Sequence, residues 1–260
     1  MTTVLSEISE DGIATITLNR PQQHNAMDGE MVSQLNETLG NLQKNPHIRA
    51  LVLKGNGKNF SAGADLSWMQ KMVNFSIEEN IKEANALGQC FYQLYHCKFP
   101  TIAVVQGAAI GGGVGLAAAC QVVLASSEAK FCFSETKLGL VPALIMPYII
   151  NAIGVRQTRA YFLTAMPFDS QTALRLGLCQ EVASPETLED RLQIWLSTLL
   201  QNGPIALQTV NSLLEPLELL PITPLMVNIT AEKIASVRVS DEGQEGLKAF
   251  LEKRKPYWIK

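Results

Sequence analysis

The stretch AIGGGVGLAAAC, residues 109–120, sets three consecutive glycines at the head of an uncharged, alanine-rich run. A phosphate-cradling loop needs GxxxxGK[ST]; no Lys-Ser or Lys-Thr follows these glycines, so that chemistry is excluded. A dinucleotide fingerprint is literally present as Gly113-Val114-Gly115-Leu116-Ala117-Ala118, after the strand-like IAVVQ and ahead of Glu128. GAAI, however, separates strand from glycines where that fingerprint wants a tight turn, and the helix is too short for the usual spacing to the acidic residue. Two readings remain. The glycines allow close helix–strand packing, or they bring backbone N–H groups at a helix start up to a carbonyl oxygen on which negative charge develops. FSAGADL, residues 60–66, weighs toward the second. It too follows a strand and a turn, is built of small residues and leads toward a helix. Two such turns in one α/β core can each offer one N–H to the same oxygen.

The elements that must position these turns are legible in outline. GIATITL at 12–18 alternates and is β-rich, ending at Arg20-Pro21. Met31, Leu35, Leu39 and Leu42 fall on one side of a helix over 27–42, with Asp28 near its start. ALVLK at 50–54 is a strand closed by GNGKN. Ser76 and Glu79 make a capping box for a helix running to about residue 96, stopped by Pro100. Strand 102–106, short helix 111–120 and strand 122–125 complete an alternation that predicts an α/β fold with crossover units. Beyond about residue 155 the pattern is almost wholly helical, and Asn202-Gly203-Pro204 is a strong break. We therefore expect a core over 1–203 and a helical segment over 204–260.

Composition narrows the function classes. The 260 residues carry a net charge of −3, with 47% hydrophobic and 17% charged residues, which suits a globular chain with an ample core and gives no basic face for nucleic acid. The five cysteines have no close metal-ligand spacing and read as free thiols of a reducing compartment, the cytoplasm. His24, His47 and His96 are too scattered for a metal cluster, and no metal is expected. MTTVLSEISEDG has neither a basic head nor a long apolar stretch, so no signal peptide is expected. Residues 101–127 and 138–155 are uncharged or nearly so and long enough to span a bilayer. Glycines with Gln106 and Gln121 interrupt the first and Pro142 with Pro147 the second, so both are expected in a protein core, not in a membrane.

FSAGADL, then GAAIGGGVGLAAAC, then SETKLGLVP resembles the enoyl-CoA hydratase/isomerase (crotonase) superfamily. LNRPQQHNAMD at 18–28 and VRVSDEGQEGLKAFLEKRKPYW at 237–258 extend the resemblance in order over nearly the whole chain. It implies a spiral of ββα units with a helical C-terminal trimerisation region, assembled as a homotrimer or as a hexamer of two trimers. It implies an acyl-CoA thioester substrate, whose CoA makes a separate cofactor unnecessary. By position, the oxyanion N–H groups would be those of Ala64 and Gly112. Contacts to the adenine side of CoA would run along Ala62, Ala64, Asp65 and Leu66. Lys253, with Arg254 beside it, would reach a CoA phosphate, of its own or of a neighbouring subunit, or form a solvated basic tail.

The resemblance also raises a difficulty. Two-carboxylate hydratases of this family place one glutamate three residues after the middle glycine and a second about twenty residues later. Here the first position is Gly115, and the second is Glu135. Glu135 is thus the expected single acid–base, against the alternative of a salt bridge to Lys137. Single-glutamate members include isomerases; dienoyl isomerases want an acid eight residues after Glu135, where this chain has Ala143. RPQQHNAMD, FSAGADLSWMQKM, SIEEN and SETKLGLVPALIMPY look most like methylglutaconyl-CoA hydratases of leucine degradation and the similar carboxygeranoyl-CoA hydratases. Two departures stand out. Gln121 replaces a usual aspartate, and PALIMP from Pro142 implies a differently shaped acyl pocket. The expected reaction is hydration of a branched or carboxylated 2-enoyl-CoA, with an isomerase or a catalytically weak CoA-binding paralogue as alternatives.

Overall fold

Near-continuous apolar runs are what a parallel sheet covered on both sides requires, and the central strands have them. The computed structural model describes residues 2–217 and 222–259, with side chains of 215–217 outside the description. A six-stranded sheet is ordered β1-β2-β3-β4-β6-β9, formed by Val4–Ile8 (β1), Ile13–Leu18 (β2), Ala50–Gly55 (β3), Thr101–Val105 (β4), Val122–Ser126 (β6) and Glu181–Ala183 (β9). All neighbours pair parallel except β1 with β2. A smaller sheet joins Ala108–Ile110 (β5), Lys130–Cys132 (β7) and Phe168–Asp169 (β8).

The helices follow the strands in a repeating step. Gly29–Leu42 (α1) links β2 to β3; Leu66–Met72 (α2) and Ile77–Tyr95 (α3) link β3 to β4. Then β4-β5 runs into Gly112–Ala118 (α4), and β6-β7 into a 3₁₀ turn at Glu135–Leu138 and helix Met146–Thr164 (α5). These are successive ββα units, each stepping from the large sheet to the small one. Ser170–Leu176 (α6) precedes β9, and Leu188–Leu200 (α7), Pro204–Leu217 (α8), Pro224–Arg238 (α9) and Asp241–Leu251 (α10) follow it.

Local chemistry fixes the element ends. Asp28 caps α1 by accepting from Met31 N–H at 2.9 Å. The Ser76–Glu79 capping box opens α3 as its spacing requires. Met31, Leu35 and Leu39 of α1 are buried, as are Cys90, Phe91 and Leu94 of α3. Gln121 joins two strands of the large sheet. Its Oε1 accepts from the Thr101 hydroxyl at 2.7 Å, and the same hydroxyl accepts from Gln121 N–H at 3.0 Å, which ties the start of β4 to the start of β6.

The region beyond residue 155 is less uniformly helical than the sequence suggests, because β8 and β9 each complete a sheet. β1 lies outside the expected set as well; it is an edge strand with only Val4 buried, so it carries no core-strand pattern. The chain divides into two compact units. One takes residues up to Cys97 with Thr101–Gln193; the other takes Lys98–Pro100 with residues from Ile194 onward. The seam lies within α7, ahead of the Asn202-Gly203-Pro204 break. In the second unit, the buried Glu242 carboxylate accepts from the N–H groups of Ile205 and Ala206 at 2.9 and 2.7 Å, capping the start of α8. Among the described residues, no helix is long and apolar enough to cross a membrane.

Candidate active site

The two small-residue turns lie against each other. Ser61 N–H donates to Ala108 O at 3.0 Å and Ile110 N–H to Ser61 O at 2.9 Å, so the segments run parallel across a bridge between Ser61 and Ala109. Contact is close enough that a Cβ on Gly63 would sit 2.9 Å from Ile110 O, and Gly63 has φ +88°. Both conditions select glycine at this position.

The same turns leave two amides without acceptors. Met27 N–H donates to Gly63 O at 2.7 Å, and Asp65 N–H to Met27 O at 2.8 Å, forming a parallel bridge between Met27 and Ala64. In such a bridge the middle residue's own N–H points to the opposite side. That side is a cavity of about 310 Å³ lined by Ala64 and by Gly112. Gly112 opens α4, where no preceding turn can accept its N–H. Among the described residues neither amide has a hydrogen-bond acceptor, so both are available to an oxygen in the cavity.

Glu135 faces the same space. It begins the 3₁₀ turn after β7, and its carboxylate packs on Gly111: a Cβ there would lie 2.9 Å from Oε1 and 3.4 Å from Cδ. Gly111 also has φ +51°, so the turn that presents Gly112 and the bed for the carboxylate are one glycine. Glu135 Oε2 is buried without a hydrogen-bond partner, and no ion pair to Lys137 forms among the described residues. Burial pushes the Glu135 carboxyl above the ordinary glutamate range. A proton acceptor so placed, beside two free N–H donors, can take a proton from carbon while the donors stabilise an enolate oxygen.

The cavity wall also includes Ala62, Leu66 and Pro142, so it brings together most of the expected substrate residues. Three are placed elsewhere. Asp65 turns its carboxylate away to cap α2, accepting from Ser67 N–H at 2.8 Å and Trp68 N–H at 3.2 Å and pairing with Arg20 at 3.0 Å. The Ser67 hydroxyl is the foremost influence holding its carboxyl below the usual range, with the Trp68 N–H and Arg20 adding to it. Gly115 is buried within α4 and does not line the cavity, because Ile145 covers it. Lys253 lies in the second unit, exposed, while Arg254 next to it forms a two-pronged ion pair with Glu245 at 2.7 and 2.8 Å.

Several site residues escape sequence reasoning. Arg20 bridges Asp28 at 3.2 Å and Asp65 at 3.0 Å, fastening the 20–28 loop to the Ala64 turn. Asn25, fully buried and at φ 55°, donates to Asn56 O and Asn59 O and accepts the backbone N–H of Arg20. Ser134 and Ile145 also line the cavity. A lone charge beside a proline or a serine beside a glutamate carries no distinctive spacing; only the PALIMP departure points toward Ile145.

Stacked ββα units on a central parallel sheet define a crotonase-fold protein. Comparison with known proteins places it more finely. The Enoyl-CoA hydratase/isomerase family matches residues 8–260, and the chain belongs to that family as an enzyme of the enoyl-CoA hydratase class. A crotonyl-CoA hydratase of Syntrophomonas wolfei is 30% identical over 253 residues, covering 96% of this chain and 95% of its own. The structure of an enoyl-CoA hydratase from Shewanella pealeana superposes with a TM-score of 0.95 at 42% identity, over 98% of this chain and 96% of that one. Pseudomonas aeruginosa AtuE superposes with a TM-score of 0.95 at 36% identity, over 99% and 100%.

Proposed function

We propose that this enzyme adds water reversibly across the 2,3 double bond of a branched or carboxylated 2-enoyl-CoA, with Ala64 and Gly112 as the oxyanion hole and Glu135 as the single acid–base. The observation that carries the reading is the desolvated Glu135 carboxylate beside two unpartnered amides in one cavity. Of the two acyl classes, the wall favours the branched apolar one. Among the described residues it carries no Lys, Arg or His, and an acyl carboxylate would meet Glu135 with no cation between them. Pro142, Leu144 and Ile145 of the PALIMP segment supply apolar bulk against a branched chain.

The chemistry needs acid–base transfer and oxyanion stabilisation, with CoA as part of the substrate and no separate cofactor. Leucine degradation and a cytoplasmic setting accord with this reading, and all five cysteines are free and buried, as a reducing compartment allows. Lys253 is assigned to a CoA phosphate, and the second unit to a homotrimer or hexamer interface.

Migration of a double bond by the same Glu135 is the second reading, favoured by one observation: Ile145 fills the place where a second carboxylate at position 115 would stand. The two separate in H₂¹⁸O with methylglutaconyl-CoA, 3-methylcrotonyl-CoA and a 3-enoyl-CoA. Label at the β-hydroxyl is the expected result. A 2-enoyl product from the 3-enoyl thioester, with no label gained from any substrate, reverses the ranking.

A further inference from the structure

Hydration asks more of a site than isomerisation does: a water must be held with a lone pair toward the β-carbon while one of its protons leaves. One hydrogen bond to the proton acceptor leaves that water free to swing about it; a second fixes its direction. Glu135 can supply the first. The opposite wall cannot supply the second from α4. Positions 111 and 115 lie one turn apart on that helix start, and the position 115 direction is closed by Ile145, whose Cβ would stand 3.0 Å from a Cβ there, with Phe91 Cε1 at 3.1 Å.

The remaining wall is nearly devoid of polar side chains. Met27, Leu87, Phe91, Leu144 and Ile145 are typical of it, and among the described lining residues only Ser134 and Glu135 have polar side chains. Ser134 precedes the 3₁₀ turn but does not cap it, and its hydroxyl makes no hydrogen bond among the described residues. It is part-exposed on the cavity, so the hydroxyl is within reach of a guest molecule.

We propose that Ser134 is a second catalytic residue of the hydration reaction, its Oγ accepting one O–H of the nucleophilic water while Glu135 accepts the other. This rests on the hydratase reading. In the forward step the water oxygen forms the bond to the β-carbon and the C2=C3 π pair moves to the α-carbon and thioester oxygen, where the Ala64 and Gly112 N–H groups meet the charge. Glu135 takes the proton lost by the water and returns it to the α-carbon. The proton bonded to Ser134 stays on the new hydroxyl, so H and OH are added and nothing else is consumed. Removal of an α-proton from a saturated acyl-CoA needs Glu135 and the two amides, but no bound water and hence no Ser134.

The test compares hydration of 3-methylcrotonyl-CoA with α-deuterium exchange into 3-methylbutanoyl-CoA in D₂O, for the wild type, Ser134→Ala, Ser134→Thr and Glu135→Gln. Ser134→Ala is expected to slow hydration roughly 10- to 100-fold through loss of orientation, with exchange within about twofold of wild type, and Ser134→Thr to restore hydration. Glu135→Gln loses both reactions. Hydration by Ser134→Ala at the wild-type rate, or an equal fall in hydration and exchange, overturns the role of Ser134 and leaves the hydratase reading standing. A wild type that exchanges but hydrates nothing overturns the hydratase reading, and the role of Ser134 with it.

Discussion

The side chain of Ile145 occupies the space that any side chain at Gly115 would need: its Cγ2 overlaps a Cβ built there and its own Cβ lies at 3.0 Å. Both residues are buried, with Ile145 3% exposed, so neither can yield outward. Gly115→Ala is therefore expected to cost about 1–3 kcal/mol of stability, the usual penalty of forcing a methyl group into a packed site. Ile145→Ala in the same chain should recover part of that loss. A double-mutant cycle by urea denaturation measures it, and simple additivity of the two changes would show that the pair is not coupled.

Glu135→Gln keeps the shape of the side chain and removes proton transfer, a contribution of about 10²–10⁴-fold. Turnover should fall by that order with the circular-dichroism spectrum unchanged. In the wild type the carboxylate must be ionised to act as base. Because burial raises its folded-state value, the rate should fall as pH drops through a midpoint above the ordinary glutamate range. The sign for stability is opposite. Between the unfolded and folded values the native state holds more protons, so stability declines as pH rises through that window and carries a constant penalty above it. Glu135→Gln should thus be more stable than wild type at pH 7. The gain should disappear on acidification below the ordinary glutamate value. Thermal melts of both proteins across pH check both ends of the range.

Much of this site was legible as pattern, and the rest was not, for physical reasons. Small residues after strands announced the two turns, because only close backbone approach demands such runs. The capping box, parallel-sheet strands and α1 face followed from local spacing. What stayed hidden was pairing across sequence distance. Nothing local in Arg20, Asp28 and Asp65 says that one guanidinium joins both carboxylates. Position alone gave Asp65 a place on the substrate, whereas its carboxylate is engaged by Ser67, Trp68 and Arg20. The short strands β5, β7 and β8 had too few residues to show a period, yet β5 carries the chain into Gly111 and β7 into Glu135.

The second unit bears apolar side chains that it does not cover. Ile222 is 91% exposed, Leu225 67% and Leu214 54%, and Phe250 is exposed on α10. Leu219 and Leu220, between Leu214 and Leu225 in the sequence, lie outside the described residues, as does the side chain of Leu217. Large apolar side chains exposed in such number are common at interfaces. Light scattering at micromolar concentration should give three or six times the 28.4 kDa chain mass. A monomer mass would leave this surface without a use.

Asp65→Asn tests whether the ion pairs behind the oxyanion turn matter to catalysis. Asp65 is 7% exposed, caps α2 through two N–H groups and binds Arg20, and its own N–H holds Met27 O in the bridge that aims the Ala64 amide. Asparagine preserves volume and one cap acceptor but leaves Asp28 as the one carboxylate paired with Arg20 among the described residues. The loss of a buried charged hydrogen bond is expected to cost about 1.5–3 kcal/mol. In the wild type the Asp65 carboxyl is held below its usual range, so its stabilisation is present above the unfolded value near 3.8 and is lost as pH falls through the lower folded value. The variant should lack that acid-side slope. If the bridge loosens with it, kcat should drop while KM for an acyl-CoA stays within about twofold, since an N–H displaced from the developing oxyanion harms the transition state more than the ground state. A variant that melts earlier but turns over at the wild-type kcat would confine Asp65 to holding the fold.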